Sequence, residues 1–192
     1  LLILLPLSAV RHTWSGGWRY GSYFLLLGLA FLFVEIAFIQ RFTLFLGHPL
    51  YAIAVVLASF LVFAGAGSAY STRIARKSSI AVAGIVGIAI IYMLVLPLLF
   101  GWLIGTAEFL RILLSVVLIA PLAFFMGMPF PLGLRRLAEE VPDFVPWAWG
   151  INGFASVVSA VLATLLAIHF GFTVVIALAL LLYVAAASLR VA

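Results

Sequence analysis

Apolar positions in this chain do not alternate with polar ones. They form unbroken, helix-length runs at about 21–42, 49–71, 80–104, 112–134, 146–168 and 172–189, with short polar interruptions between them. Runs of about 18 or more apolar residues predict membrane-crossing helices, whereas a transmembrane barrel would show ten-residue alternating segments. A shorter apolar stretch, 1–10, reads as the end of a truncated transmembrane helix, because it lacks the basic start of a signal peptide. Residues 11–20 (RHTWSGGWRY) predict a polar turn carrying two Trp and a Tyr at interface positions. The expected fold is therefore all-α: a polytopic transmembrane helical bundle with six complete spans and one partial N-terminal span. Its expected divisions are 1–10 and 11–192, and the chain reads as a piece of something larger.

Small residues and prolines refine that picture. Ala64-Gly65-Ala66-Gly67-Ser68-Ala69 lies inside an apolar run with no strand before it, which favours close helix packing over a phosphate-binding loop. Ala155, Ser159, Ala163 and Ala167 form a ridge of small residues at four-residue spacing. Its expected partner is the glycine-rich end of 49–71 or the Gly84–Gly87 face. Pro146 suits a first helical position. Two helix breaks are expected, at Gly47 with Pro49 and at Pro129 with Pro131, since two prolines two apart cannot both sit in a helix interior. Both resemble the interrupted helices of transporters, although they do not occupy matching positions of two repeats.

Composition narrows the class. Of the 192 residues, 68% are hydrophobic and 8% charged, against roughly 25% charged in soluble domains. The absence of cysteine excludes disulfides and thiolate chemistry within these residues. The net charge of +5 sits in short loops, so it reads as topology, and no nucleic-acid partner is expected. Arg11, Arg19, Arg73, Arg76, Lys77, Arg135, Arg136 and Arg190 fall on one side; Arg41 and Arg111 fall on the other. Eight basic residues against two make the first side cytoplasmic, with the C-terminus inside and a lipid bilayer as the surroundings.

The polar residues within or beside the spans are the candidates for chemistry. Glu35 sits inside the 21–42 run, and an ionisable group at that depth costs at least ~2.5 kcal/mol, so it must face protein or water. It is either a hydrogen-bonding group that fixes helix register or a proton or cation site. Arg41 is six residues on, about 240° around the axis, and so is poorly placed to pair with it. His48 and Arg111 are the nearest partners by depth. Together with Gln40, Arg41, Glu108 and His169, these residues form a set on the non-cytoplasmic half. Asn152, between Gly150 and Gly153 on the other half, is interhelical glue or a ligand. His48 and His169 lie at helix ends, which does not suit haem, and no Glu-x-x-His pair is present, so neither metal nor cofactor is expected.

The segments VEIAFIQRFTLFLGHPLYA, MGMPFPLGLRRL and PWAWGINGFASVVSAVLA, in that order, resemble the C-terminal membrane half of bacterial spermidine synthase-like membrane proteins. The resemblance spans about 21–187. It implies a place in the bacterial inner membrane and matching positions at Glu35, Gln40, Arg41, Gly47, His48, Pro49, Gly127, Pro129, Pro131, Trp147, Gly150 and Asn152. It also implies a partner, a soluble aminopropyltransferase-like domain of methyltransferase fold joined to the helices. The glycine-rich nucleotide loop and the acidic substrate ligands of that domain have no counterpart in these residues. The expected role is thus a non-enzymatic membrane module, an anchor or passage for a small cationic or amphiphilic substrate. The alternative is a structural accessory subunit packed among the other membrane subunits of a respiratory or photosynthetic complex.

Overall fold

The computed structural model describes residues 14–74, 78–189 and 191, and among them every regular element is helical. Seven helices follow in order: α1 (Trp14–Leu46), α2 (Pro49–Ser71), α3 (Ser78–Leu103), α4 (Glu108–Met126), α5 (Pro129–Glu140), α6 (Val145–Phe170) and α7 (Phe172–Ser188). Five stretches are long and apolar enough to cross a membrane, with α4 and α5 acting as one of them; α7, at 17 residues, is shorter. A multi-pass helical bundle results.

The ends of these helices follow from local chemistry. Gly47 and Gly171 adopt φ of 78° and 83°, in the left-handed region that side chains with a Cβ disfavour. Their N–H groups close the last turns of α1 and α6 on Thr43 and Ala167. Pro49 then opens α2, where its missing N–H costs nothing. The start of α1 differs from expectation, and the helix break expected at Pro129 with Pro131 is present. The turn expected at 11–20 is helical from Trp14 onward, so α1 runs 33 residues, roughly 50 Å. Residues 1–13, including the expected partial span, and 75–77 of the basic loop lie outside the described residues. The 112–134 run is two helices that meet at Gly127 and Met128. Pro129 and Pro131 both fall in the first turn of α5, where no helical donor is required of them.

α1 is the central helix and packs most extensively on α6 and α7. Successive spans alternate in direction, α4 and α5 together forming one of them. Arg19 donates to the Leu189 carbonyl and Tyr20 to the Glu140 carboxylate, which gathers the start of α1 and the ends of α5 and α7 at one end of the bundle. Arg111 donates to the Phe45 carbonyl and Arg41 to Thr173 at the opposite end. Among the described residues, Arg19, Arg73, Arg135 and Arg136 therefore share one end, called here the basic end.

The Ala155–Ala167 ridge is buried, but against α1 rather than α2 or α3. Ser159 donates to the Leu29 carbonyl at 2.8 Å, and a Cβ on Gly28 would lie 2.7 Å from the Asn152 carbonyl. Two small-residue faces thus meet each other. The glycine-rich end of α2 meets the α4–α5 junction instead: a Cβ on Gly67 would overlap the Phe124 carbonyl, and one on Gly127 the Ala64 carbonyl.

Candidate functional site: an acid-lined cavity

α1, α2, the α4–α5 junction, α6 and α7 surround a cavity of about 580 Å³ in the half of the bundle nearer the basic end. Its wall is mostly apolar, with Phe31, Phe60, Phe130 and Trp149 as its rings. Four helices place polar side chains there: Glu35 from α1, Ser68 from α2, Asn152 and Ser156 from α6, and Tyr183 from α7.

Glu35 is buried at 7% exposure and makes no hydrogen bond or ion pair among the described residues. The Asn152 side-chain amide is also without a partner; only its backbone carbonyl is used, accepting from Ser156 at 2.9 Å. The Tyr183 hydroxyl is buried and unpartnered. Buried polar groups in proteins are nearly always satisfied, so the buried Glu35 and Tyr183 without partners on one cavity are unusual; Asn152 beside them is half-buried. Together the three offer an acceptor with one formal negative charge, an amide that donates and accepts, and a phenol.

The helix break adds to this polarity. Pro131 has no N–H with which to satisfy the Gly127 carbonyl, and both residues line the cavity. The Pro129 carbonyl accepts from Tyr23 at 2.7 Å, which pins the junction against α1. Pro129 and Pro131 thus lie at the α4–α5 junction and on the cavity wall together.

The structure does not bring together the set expected on the other half. Gln40 keeps a buried, unpartnered amide oxygen away from the cavity. Arg41 reaches Thr173 at 3.3 Å, and Arg111 donates to the Phe45 carbonyl at 2.9 Å. His48 is exposed and packs edge-on to Tyr51, near Glu108. His169 is exposed, with its ring against the Leu165 carbonyl. Neither His48 nor Arg111 lies on the cavity wall with Glu35; the polar residues there are Ser68, Asn152, Ser156 and Tyr183. Gly47 and Pro49 form the turn between α1 and α2, remote from the cavity, whereas Gly127, Pro129 and Pro131 line it. Among the described residues no three His, Asp or Glu side chains gather as a metal ion would require.

Tyr183, with its buried and unpartnered hydroxyl, is a cavity residue that sequence reasoning missed, as are Ser68 and Ser156. The signal for Tyr183 is slight, a single hydroxyl in the otherwise apolar α7, whose remaining polar residues lie at its ends. No protein-family model matches this chain, and no curated protein or solved structure matches it either.

Proposed function

We propose that this chain is the membrane module of a spermidine synthase-like protein of the bacterial inner membrane, and that its cavity receives a small cationic amphiphile. The observation that carries this reading is convergence. The three segments that bear the resemblance, 34–52, 126–137 and 146–163, each contribute wall to one cavity. The first supplies Glu35, the second Gly127, Pro129 and Pro131, and the third Trp149 and Asn152.

Chemistry selects the guest. A carboxylate away from water needs a cation or a proton, and among the described residues no protein cation lines this cavity. A primary ammonium group supplies charge and three donors for Glu35, the Asn152 oxygen and the Tyr183 oxygen. The rings of Phe31, Phe60, Phe130 and Trp149 suit an alkyl or flat tail and add cation–π attraction. The module holds or passes this molecule and performs no reaction on it; a soluble aminopropyltransferase-like domain is the partner the reading requires. The basic end faces the cytoplasm.

The test uses the purified protein in lipid nanodiscs with octylammonium as ligand and octan-1-ol as its neutral counterpart. Wild type is expected to bind octylammonium in preference to octanol. Glu35→Gln should weaken that binding by at least about tenfold, because it removes the charge-assisted partner. Equal binding of the two ligands, or equal affinity in wild type and variant, would refute the reading. For orientation, an impermeant thiol reagent on intact cells should label Glu108→Cys and leave Glu139→Cys unlabelled; both positions are exposed.

A further inference from the structure

The cavity has two boundaries of different character, and they indicate how a guest reaches Glu35. Toward the bilayer its wall is incomplete. Leu61 and Trp149 line it while remaining 75% and 57% exposed, so each has one face on the cavity and one outside the bundle. They stand on α2 and α6, which share no packed interface. Gly65 lines the same gap, and a Cβ there would meet nothing within 4 Å. In a membrane-spanning bundle, open space beside exposed apolar residues faces hydrocarbon.

Toward the basic end the wall is closed. A second, smaller cavity of about 230 Å³ reaches Ser79 and Arg136 near the helix ends. Leu27, Pro129 and Tyr183 line both cavities and so form the partition between them. The Tyr183 ring is wholly buried in that partition, and Tyr23, bonded to the Pro129 carbonyl, braces it. Arg136, paired with Glu140 at 2.9 Å, leaves this vestibule with no net negative charge to attract a cation.

From these observations we infer that the guest enters sideways from the bilayer, through the gap between α2 and α6, while Tyr183 shuts the aqueous route from the basic end. The ligand class follows: an amine that partitions into lipid reaches the site, whereas a water-soluble cation of the same charge does not. This inference rests on the cationic-amphiphile reading of the same cavity.

Because the chain contains no cysteine, one introduced at Ser68, a half-buried cavity residue, reports access directly. In nanodiscs the lipid-soluble N-phenylmaleimide should label Ser68→Cys readily, and the water-soluble cation MTSET should not. Adding Gly65→Trp, whose ring covers roughly 150–250 Å², should slow the maleimide by about tenfold or more. Gly101→Trp, on an open face away from the cavity, should leave the rate unchanged. Adding Tyr183→Ala should admit MTSET, and Tyr183→Phe, which keeps the ring, should not. Leu61→Trp serves as the plug if Gly65→Trp is not monodisperse. Rapid MTSET labelling with Tyr183 intact, or a maleimide rate indifferent to both plugs, would overturn sideways access. Protection of Ser68→Cys by octylammonium, lost in Glu35→Gln, tests the cationic-guest reading separately. Either result can therefore fail without the other.

Discussion

α1 passes through two regions that differ in how closely the helix backbones approach one another. Beyond residue 37 the interior is filled with rings. Phe38 meets Phe60 edge-on at 5.7 Å, Phe42 meets Phe100 at 5.1 Å, and Phe45 stacks on Phe100 at 4.3 Å. Nearer the basic end rings also meet, Phe24 on Phe130 at 5.2 Å and Phe130 on Trp149 at 4.8 Å. The helices there are in addition held by backbone contact, with Gly28 against Asn152, Gly67 against Phe124 and Gly127 against Ala64. Side chains can shift to fill a void, but backbone packed on backbone cannot. The glycine contacts therefore fix the helix spacing around the cavity and keep α2, α6 and the α4–α5 junction from collapsing onto Glu35. A rigid frame around a hollow is what binding requires, since the guest then meets polar groups already in place.

The sharpest way to break this comparison is to attack the frame. Gly127→Leu puts side chain where the Ala64 carbonyl lies, and that carbonyl belongs to a helix that cannot yield. We expect no monodisperse protein by size-exclusion chromatography. Next in size is the ring-filled region: Phe42 is fully buried, and Phe42→Ala should cost about 3–5 kcal/mol of unfolding free energy. Phe31→Ala is its counterpart in the hollow region. It widens a cavity that already exists, so it should cost distinctly less; equal losses would mean that the two regions pack alike. Ser159→Leu, on the ridge against α1, should cost roughly 1–3 kcal/mol through overpacking and also loses the bond to Leu29. An unchanged melting temperature would contradict that interface. The smallest effect is expected at Tyr183→Phe. Removing a buried hydroxyl that has no partner should leave thermal stability unchanged or slightly raised, despite the complete burial of the residue.

Much of this arrangement is legible along the chain, because hydrocarbon forces every span to satisfy its own backbone. The limits of α2 coincide with Pro49 and Ser71, and those of α6 and α7 flank Gly171. The start of α1 is not legible, because Trp14–Tyr20 has the composition of a turn and is helical through its contacts with α5, α7 and Phe144. Small-residue ridges announce close packing without naming a partner. The Ala155–Ala167 ridge fits any glycine-bearing face, and only the tertiary fold selects Gly28. At the site, Glu35, Asn152 and the proline pair could be picked out one by one, since each breaks an apolar pattern. Depth alone grouped Glu35 with His48 and Arg111. The packing of α1 against α6 and α7 instead brings it to the same cavity as Asn152 and Tyr183.

The central claim is that Glu35 belongs to a binding cavity rather than to the framework of the fold. Its most direct test is the melting temperature of Glu35→Gln beside wild type in nanodiscs, each with and without octylammonium. Glu35 has no bonding partner to lose, so without ligand the variant should melt at or slightly above wild type. Saturating octylammonium should raise the wild-type midpoint and leave the variant where it was, since a ligand stabilises only the state that binds it. A Gln variant that melts well below wild type in the absence of ligand, with neither protein responding to octylammonium, would make Glu35 a structural residue and contradict the account.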